Sequence, residues 1–254
     1  MDIRVTQLSY KRAPITEAVI AINFETPIDS ELLASVSNKF SAHYPNHQNV
    51  ANLDLKVQIP TGEEQSLTTQ VGRDLGHRRS SSDVTELMVL WRSALVVSQL
   101  APYPGWDTFF QRFVRDWKIW KRVVDFRTVS RIGVRYINRL DIPLPKTGNI
   151  IEHEAYLNVY PQLPTIFGPV GSYAVQAALP VEGIDCKLVL NSAVVPSPIL
   201  GHISIVVDQD IIRDANVPQS DDAIYALLNE IRIKKNGVFE ACISDRAREL
   251  FGNE

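Results

Sequence analysis

Alternation is the first pattern along the chain. From Thr16 to Glu25, Ala18, Ile20, Ile22 and Phe24 alternate with Glu17, Val19, Ala21 and Asn23, the period of a strand with one buried face. The period then changes to that of a helix. Leu32, Leu33, Val36, Phe40 and Tyr44 recur behind Asp29, a suitable N-cap, until Pro45 stops the run. Strands are predicted at Leu53–Ile59, Leu67–Arg79 and Glu86–Leu100, with turns at Gly62 and at Ser80-Ser81-Ser82-Asp83. After Pro102-Tyr103-Pro104-Gly105, Trp106, Phe109, Phe110, Phe113, Trp117, Trp120 and Val124 fall on one helical face, with Arg112, Arg115, Lys118 and Arg122 on the other. An aromatic stripe at that spacing packs against a sheet in most folds, although a ligand slot carries the same pattern.

The second half repeats this order. A strand at Val129–Ile142 precedes a short helical segment around Asn149–Leu157 and strands at Ser172–Val181, Cys186–Val195 and Leu200–Asp208. A helix then runs from Ser220 to about Lys235, with Ile224, Leu227, Leu228 and Ile231 inward, and Ser244 caps a final short helix. The predicted fold is α+β, with two β-α-β-β-β-α halves forming a large curved antiparallel sheet packed on two long helices. The halves are residues 1–126 and 127–254, and element order alone carries the duplication.

Composition narrows the class. A chain of 254 residues, 45% hydrophobic and 22% charged, can bury a sizeable core. Its apolar runs fall far short of the roughly 20 residues that span a bilayer, and MDIRVTQLSYKR lacks the apolar stretch of a signal peptide. The expectation is a cytoplasmic protein with no membrane partner. Cys186 and Cys242 form no CxxC pair, so they read as buried free thiols rather than a disulfide or zinc site. No phosphate loop, nucleophile elbow or zinc-protease motif occurs, so no cofactor or metal is expected and the chain leans away from being an enzyme.

Charge changes the picture in one place. Between Gly105 and Arg139, nine Lys or Arg stand against Asp107, Asp116 and Asp125, a local balance of +6 in a chain whose total is −3. On the strand after the aromatic helix, Arg131, Arg135 and Arg139 share a face with Gly133, Ile137 and Asp141. At a rise of ~3.3 Å per residue they cover about 27 Å, enough to track several phosphates or a long acidic peptide. Their planar donor forks suit either anion. Ion pairing with carboxylates on neighbouring strands, such as Glu17 and Glu25, gives the same sequence, and a net acidic chain argues against nonspecific nucleic-acid binding. A second candidate is His77-Arg78-Arg79-Ser80-Ser81-Ser82, where His77 and Arg79 would serve an anion-binding turn unless it is an ordinary solvated loop. Asp208 and Asp210, with Asp214 nearby, could offer oxygens to a divalent ion, but no calcium-loop glycine or partnering His accompanies them.

Four segments, APITEAVIAINFE (13–25), LAPYPGWDTF (100–109), VSRIGVRYINRLDIP (129–143) and FEACISDRARELFG (239–252), together resemble a sporadically distributed bacterial family of about this length. The resemblance brings no catalytic residue set. Its patchy distribution implies genes on mobile or defence-associated islands. The expected function is therefore a non-enzymatic binding or regulatory module that holds a protein partner on its sheet. The alternatives are a receptor for nucleotide or single-stranded nucleic acid on Arg131, Arg135 and Arg139, or an unrecognised phosphate-acting enzyme using His77, Arg79, Asp83 and the same arginine stripe. A homodimer through exposed sheet edges is a further expectation.

Overall fold

A computed structural model of the chain describes residues 10–58, 68–145 and 151–252, with side chains for all of these except 52–58 and 68–73. The fold is α+β, with a nine-stranded antiparallel sheet and, among the described residues, four α-helices. In chain order they are β1 (Ile15–Phe24), α1 (Ser30–Lys39), β2 (Asn46–Gln58), β3 (Thr68–Ser80), β4 (Glu86–Trp91), β5 (Ala94–Leu100), α2 (Trp106–Val124), β6 (Val129–Pro143), β7 (Ala174–Val181), β8 (Cys186–Val195), β9 (His202–Arg213), α3 (Asp221–Cys242) and α4 (Asp245–Phe251). Hydrogen-bonded neighbours run β2-β3-β4-β5-β1-β6-β9-β8-β7. No described helix is long and apolar enough to cross a membrane. The turn expected at Gly62 lies outside the described residues, as does the start of the helical segment expected around Asn149; what is described there is a 3-10 turn at His153–Ala155.

Contacts divide the chain into two compact units, one drawn from residues 21–98 and 105–129, the other from 1–20, 99–104 and 130–254. In the first unit, Asp29 caps α1 by accepting from Leu32 N at 2.7 Å. The aromatic stripe of α2 is core, not a ligand slot: Phe109 and Phe113 are fully buried, and Trp120 stacks on Phe24 at 4.2 Å between ring centroids. The expected polar face of α2 is buried as well over part of its length. Arg112 is 6% exposed, donating to Ser98 O at 2.7 Å and to Tyr44 Oη at 3.0 Å. Beside it the fully buried Asp116 accepts from Tyr44 Oη at 2.5 Å and from Arg115 Nε at 2.8 Å. Burial raises the pKa of both Tyr44 and Asp116, and the two guanidiniums supply the compensating charge.

The single strand expected at Glu86–Leu100 is two. Arg92 and Ser93 reverse the chain between β4 and β5, and their carbonyls accept from Ile28 N at 2.8 Å and Phe24 N at 2.9 Å. Satisfied carbonyls make a turn there without Gly, Asn or Pro.

In the second unit, α3 lies over one face of β6 and β9. Ile224, Leu228 and Ile231 are fully buried, and the Lys235 amine sits 3.7 Å from the centroid of the Tyr136 ring. The helix continues almost two turns past Lys235 because Phe239 and Cys242 extend its inward stripe. Lys-Lys-Asn-Gly at 234–237 resembles a helix stop, yet Gly237 is buried within the helix. Ser244 caps α4 as expected, accepting from Ala247 N, and Ser220, the expected first residue of α3, stands just before it as its cap, accepting from Ala223 N.

Candidate functional site on the outer face of β6 to β9

β6 separates its residues cleanly. Ile132, Val134, Tyr136, Asn138, Leu140 and Ile142 are buried on the α3 side, which turns Arg131, Arg135 and Arg139 outward. Antiparallel register then brings carboxylates from β9 to two of them, with Asp210 opposite Arg135 and Asp208 opposite Ile137. The Arg131 and Arg135 guanidiniums reach diagonally. Arg135 closes a two-pronged pair with Asp208, Nε to Oδ1 at 2.8 Å and Nη2 to Oδ2 at 2.7 Å. Arg131 Nη2 meets Asp210 Oδ2 at 3.0 Å. A Cβ on Gly133 would lie 3.1 Å from the Arg131 guanidinium, so the glycine gives that side chain its lane.

The network crosses four strands. Asn191 of β8 donates to Asp208 Oδ2 at 3.1 Å, and Gln176 of β7 donates to Asn191 Oδ1 at 2.7 Å. Arg139 binds Asp141 at 3.0 Å, and Ser204 donates to the same carboxylate at 2.5 Å. Lys187 pairs with Asp214. Four cations thus meet four carboxylates on one face, with Glu17 adding a weaker attraction for Arg135. The Asp208 hydrogen bond outweighs desolvation and raises the Arg135 pKa, while burial raises that of Asp210 against the pull of Arg131 and Arg135. Half-exposed Ile137, Val189, Ala193, Val206 and Ile212 lie among the charges.

This corrects the sequence reading at several points. Paired carboxylates come from Asp208, Asp210 and Asp141 rather than Glu17 or Glu25. Asp208, Asp210 and Asp214, considered as metal donors, are instead partners of Arg135, Arg131 and Lys187. Arg79 is not anion-facing: it is 5% exposed and donates to Ser37 Oγ at 2.8 Å, Tyr44 O at 3.2 Å and Asn38 Oδ1 at 3.2 Å, fastening β3 to α1. His77 lies 2.9 Å from His47 across β2 and β3, and burial, with His47 and Arg79 acting the same way, lowers its pKa. A ring disfavoured from protonation is a poor anion receptor. The serine turn is filled by its own acceptor, since Asp83 Oδ1 takes the Ser81 hydroxyl at 2.5 Å and Thr85 N at 3.2 Å. Sequence reasoning missed Asn191, Gln176 and Ser204, which only the strand register connects to the stripe.

No family model and no curated protein matches the chain. Among solved structures it is similar to DynU16, a protein of the dynemicin biosynthetic locus, at 10% identity and a TM-score of 0.26, over 92% of this chain and 97% of that one. It is also similar to the di-domain ARO/CYC StfQ from the steffimycin biosynthetic pathway, at 10% identity and a TM-score of 0.19, again over 92% and 97%.

Proposed function

We propose that the chain is a non-enzymatic, cytoplasmic binding module that holds a protein partner on the outer face of β6 to β9. The observation that carries the reading is internal charge balance: Arg131, Arg135 and Arg139 are each held by a carboxylate of the same face. A polyanion would have to break those pairs, whereas a protein surface can interleave with alternating charges and the aliphatic side chains between them. The same observation weakens the nucleotide or single-stranded nucleic-acid reading, because binding that releases counterions needs uncompensated cations. The sporadic distribution of the family that the chain resembles points to a partner encoded by a neighbouring gene. We also propose that β1 to α2 and β6 to α3 are diverged copies of one strand–helix series.

The test is calorimetric titration of the product of the adjacent gene into the chain and into a Val189→Glu/Val206→Glu variant. Both sites are half-exposed on this face. Saturable binding to the native chain, weakened at least about tenfold by the paired substitutions, is the expected result. Equal binding to both proteins would overturn the assignment of the face.

A further inference from the structure

The second unit also contains a cavity of about 830 Å³ on the α3 side of its strands. It is independent of the outer face. Leu179, Val181, Leu188 and Leu190 of β7 and β8 form one wall, and Ile233 and Val238 of α3 belong to the other. The volume lies within the range of small-molecule sites, which are mostly apolar with a few polar groups that fix orientation. Two features of α3 create the space. Gly237 and Ala241 line the cavity where larger side chains would fill it. Keeping a glycine inside a helix costs about 1 kcal/mol relative to alanine.

The mouth is amphipathic. Leu179 and Ile233, both lining residues, are 46% and 59% exposed. Lys234 also lines it, and its amine lies 3.2 Å from where a Cβ on Gly183 would stand, a glycine with φ +80°. Among the described residues no carboxylate lies within ion-pair distance of Lys234. Glu182 shares the mouth but is exposed to solvent, whereas Lys234 is partly buried. Deeper in, burial pushes the Cys242 thiol up to about 12, which keeps that wall neutral.

We propose that this cavity binds an apolar-tailed small carboxylate, its tail between β7, β8 and α3 and its head against Lys234. The Lys234 amine at the mouth distinguishes this from a purely apolar docking groove for a second copy.

The experiment titrates decanoate, decanol and decylamine into the full chain by calorimetry, beside Lys234→Met, Gly237→Leu and Ala241→Leu. Lys234→Met keeps the aliphatic stem and removes the charge; the other two fill the cavity. Expected are saturable decanoate binding, a loss of about tenfold with Lys234→Met that decanol does not share, and loss of both ligands in whichever filled variant retains its circular dichroism spectrum. Decylamine binding more tightly than decanoate would overturn the head-group assignment and point to Glu182. Absence of saturable binding, or a concentration-dependent dimer that alone responds to the filled variants, would overturn the proposal.

Discussion

Arg135 and Asp208 form an unequal pair, and removing each partner should reveal the inequality. The Asp208 side chain is 8% exposed and the Arg135 side chain 47%. Arg135→Ala leaves a nearly buried carboxylate with Asn191 as its one remaining side-chain donor among the described residues. Breaking a fully buried pair costs about 3–5 kcal/mol; because Arg135 is half in water, the expected loss is about 2 kcal/mol. Asp208→Ala costs less, about 1 kcal/mol, since the stranded guanidinium can swing into solvent and stay hydrated. The double variant should fall short of the sum of the single losses by about 1 kcal/mol.

Tryptophan fluorescence has no reporter on these strands, because Trp91, Trp106, Trp117 and Trp120 all lie in the other unit. Amide hydrogen exchange along β6 and β9 reads it directly. For amides exposed by opening of these strands, Arg135→Ala should speed exchange roughly thirtyfold and Asp208→Ala roughly fivefold. Equal effects, or Asp208→Ala exceeding Arg135→Ala, would refute the argument that burial of the carboxylate sets the cost.

Arg79→Ala should destabilise the first unit by about 2 kcal/mol by removing the donors to Ser37, Tyr44 and Asn38, read by the denaturation midpoint of tryptophan fluorescence. Arg79→Lys should recover little, since an ammonium cannot reproduce the fork. Gln209 is fully buried, with no hydrogen-bond partner among the described residues at either end of its amide. Gln209→Leu should therefore stabilise the second unit by about 1 kcal/mol, measured as slower exchange at β9; a loss would mean that the amide is satisfied by bound water. Lys235 titrates at about 7 in the fold rather than 10.5, chiefly through burial, with Arg232 acting the same way and Glu240 opposing. The unfolded chain binds the extra proton between those values, so this group makes stability rise from about pH 7 to about 10.5, with its penalty fully present below about 7. Lys235→Met should flatten that rise in thermal melts followed by circular dichroism; an unchanged slope would show that the amine reaches water.

The helix Trp106–Val124 and the strand Val129–Pro143 were legible because their patterns run long and unbroken. Failures occurred where a distant contact decided the local outcome. Trp-Arg-Ser-Ala contains no turn residue, yet Arg92 and Ser93 reverse because backbone donors of Ile28 and Phe24 meet them. Lys-Lys-Asn-Gly reads as a stop, but Phe239 and Cys242 have core to bury and carry α3 onward. Arg79 and Arg135 are both strand arginines. Only the packing of α1 over β3 buries the first, and only the register of β6 against β9 supplies the second with Asp208. Both the aspartates and the arginines are visible along the chain; their pairing exists only in the fold.

Binding of a labelled single-stranded oligonucleotide at low salt, compared between the native chain and Asp208→Asn/Asp210→Asn, tests most directly whether the arginine face is internally neutralised. Replacing both carboxylates removes the Asp208 and Asp210 charges that face Arg135 and Arg131 while keeping side-chain size. The expected result is no measurable binding by the native chain and salt-sensitive binding by the variant, confirmed as folded by circular dichroism. Native binding as tight as that of the folded variant would contradict it, because the guanidiniums would then be available despite their partners.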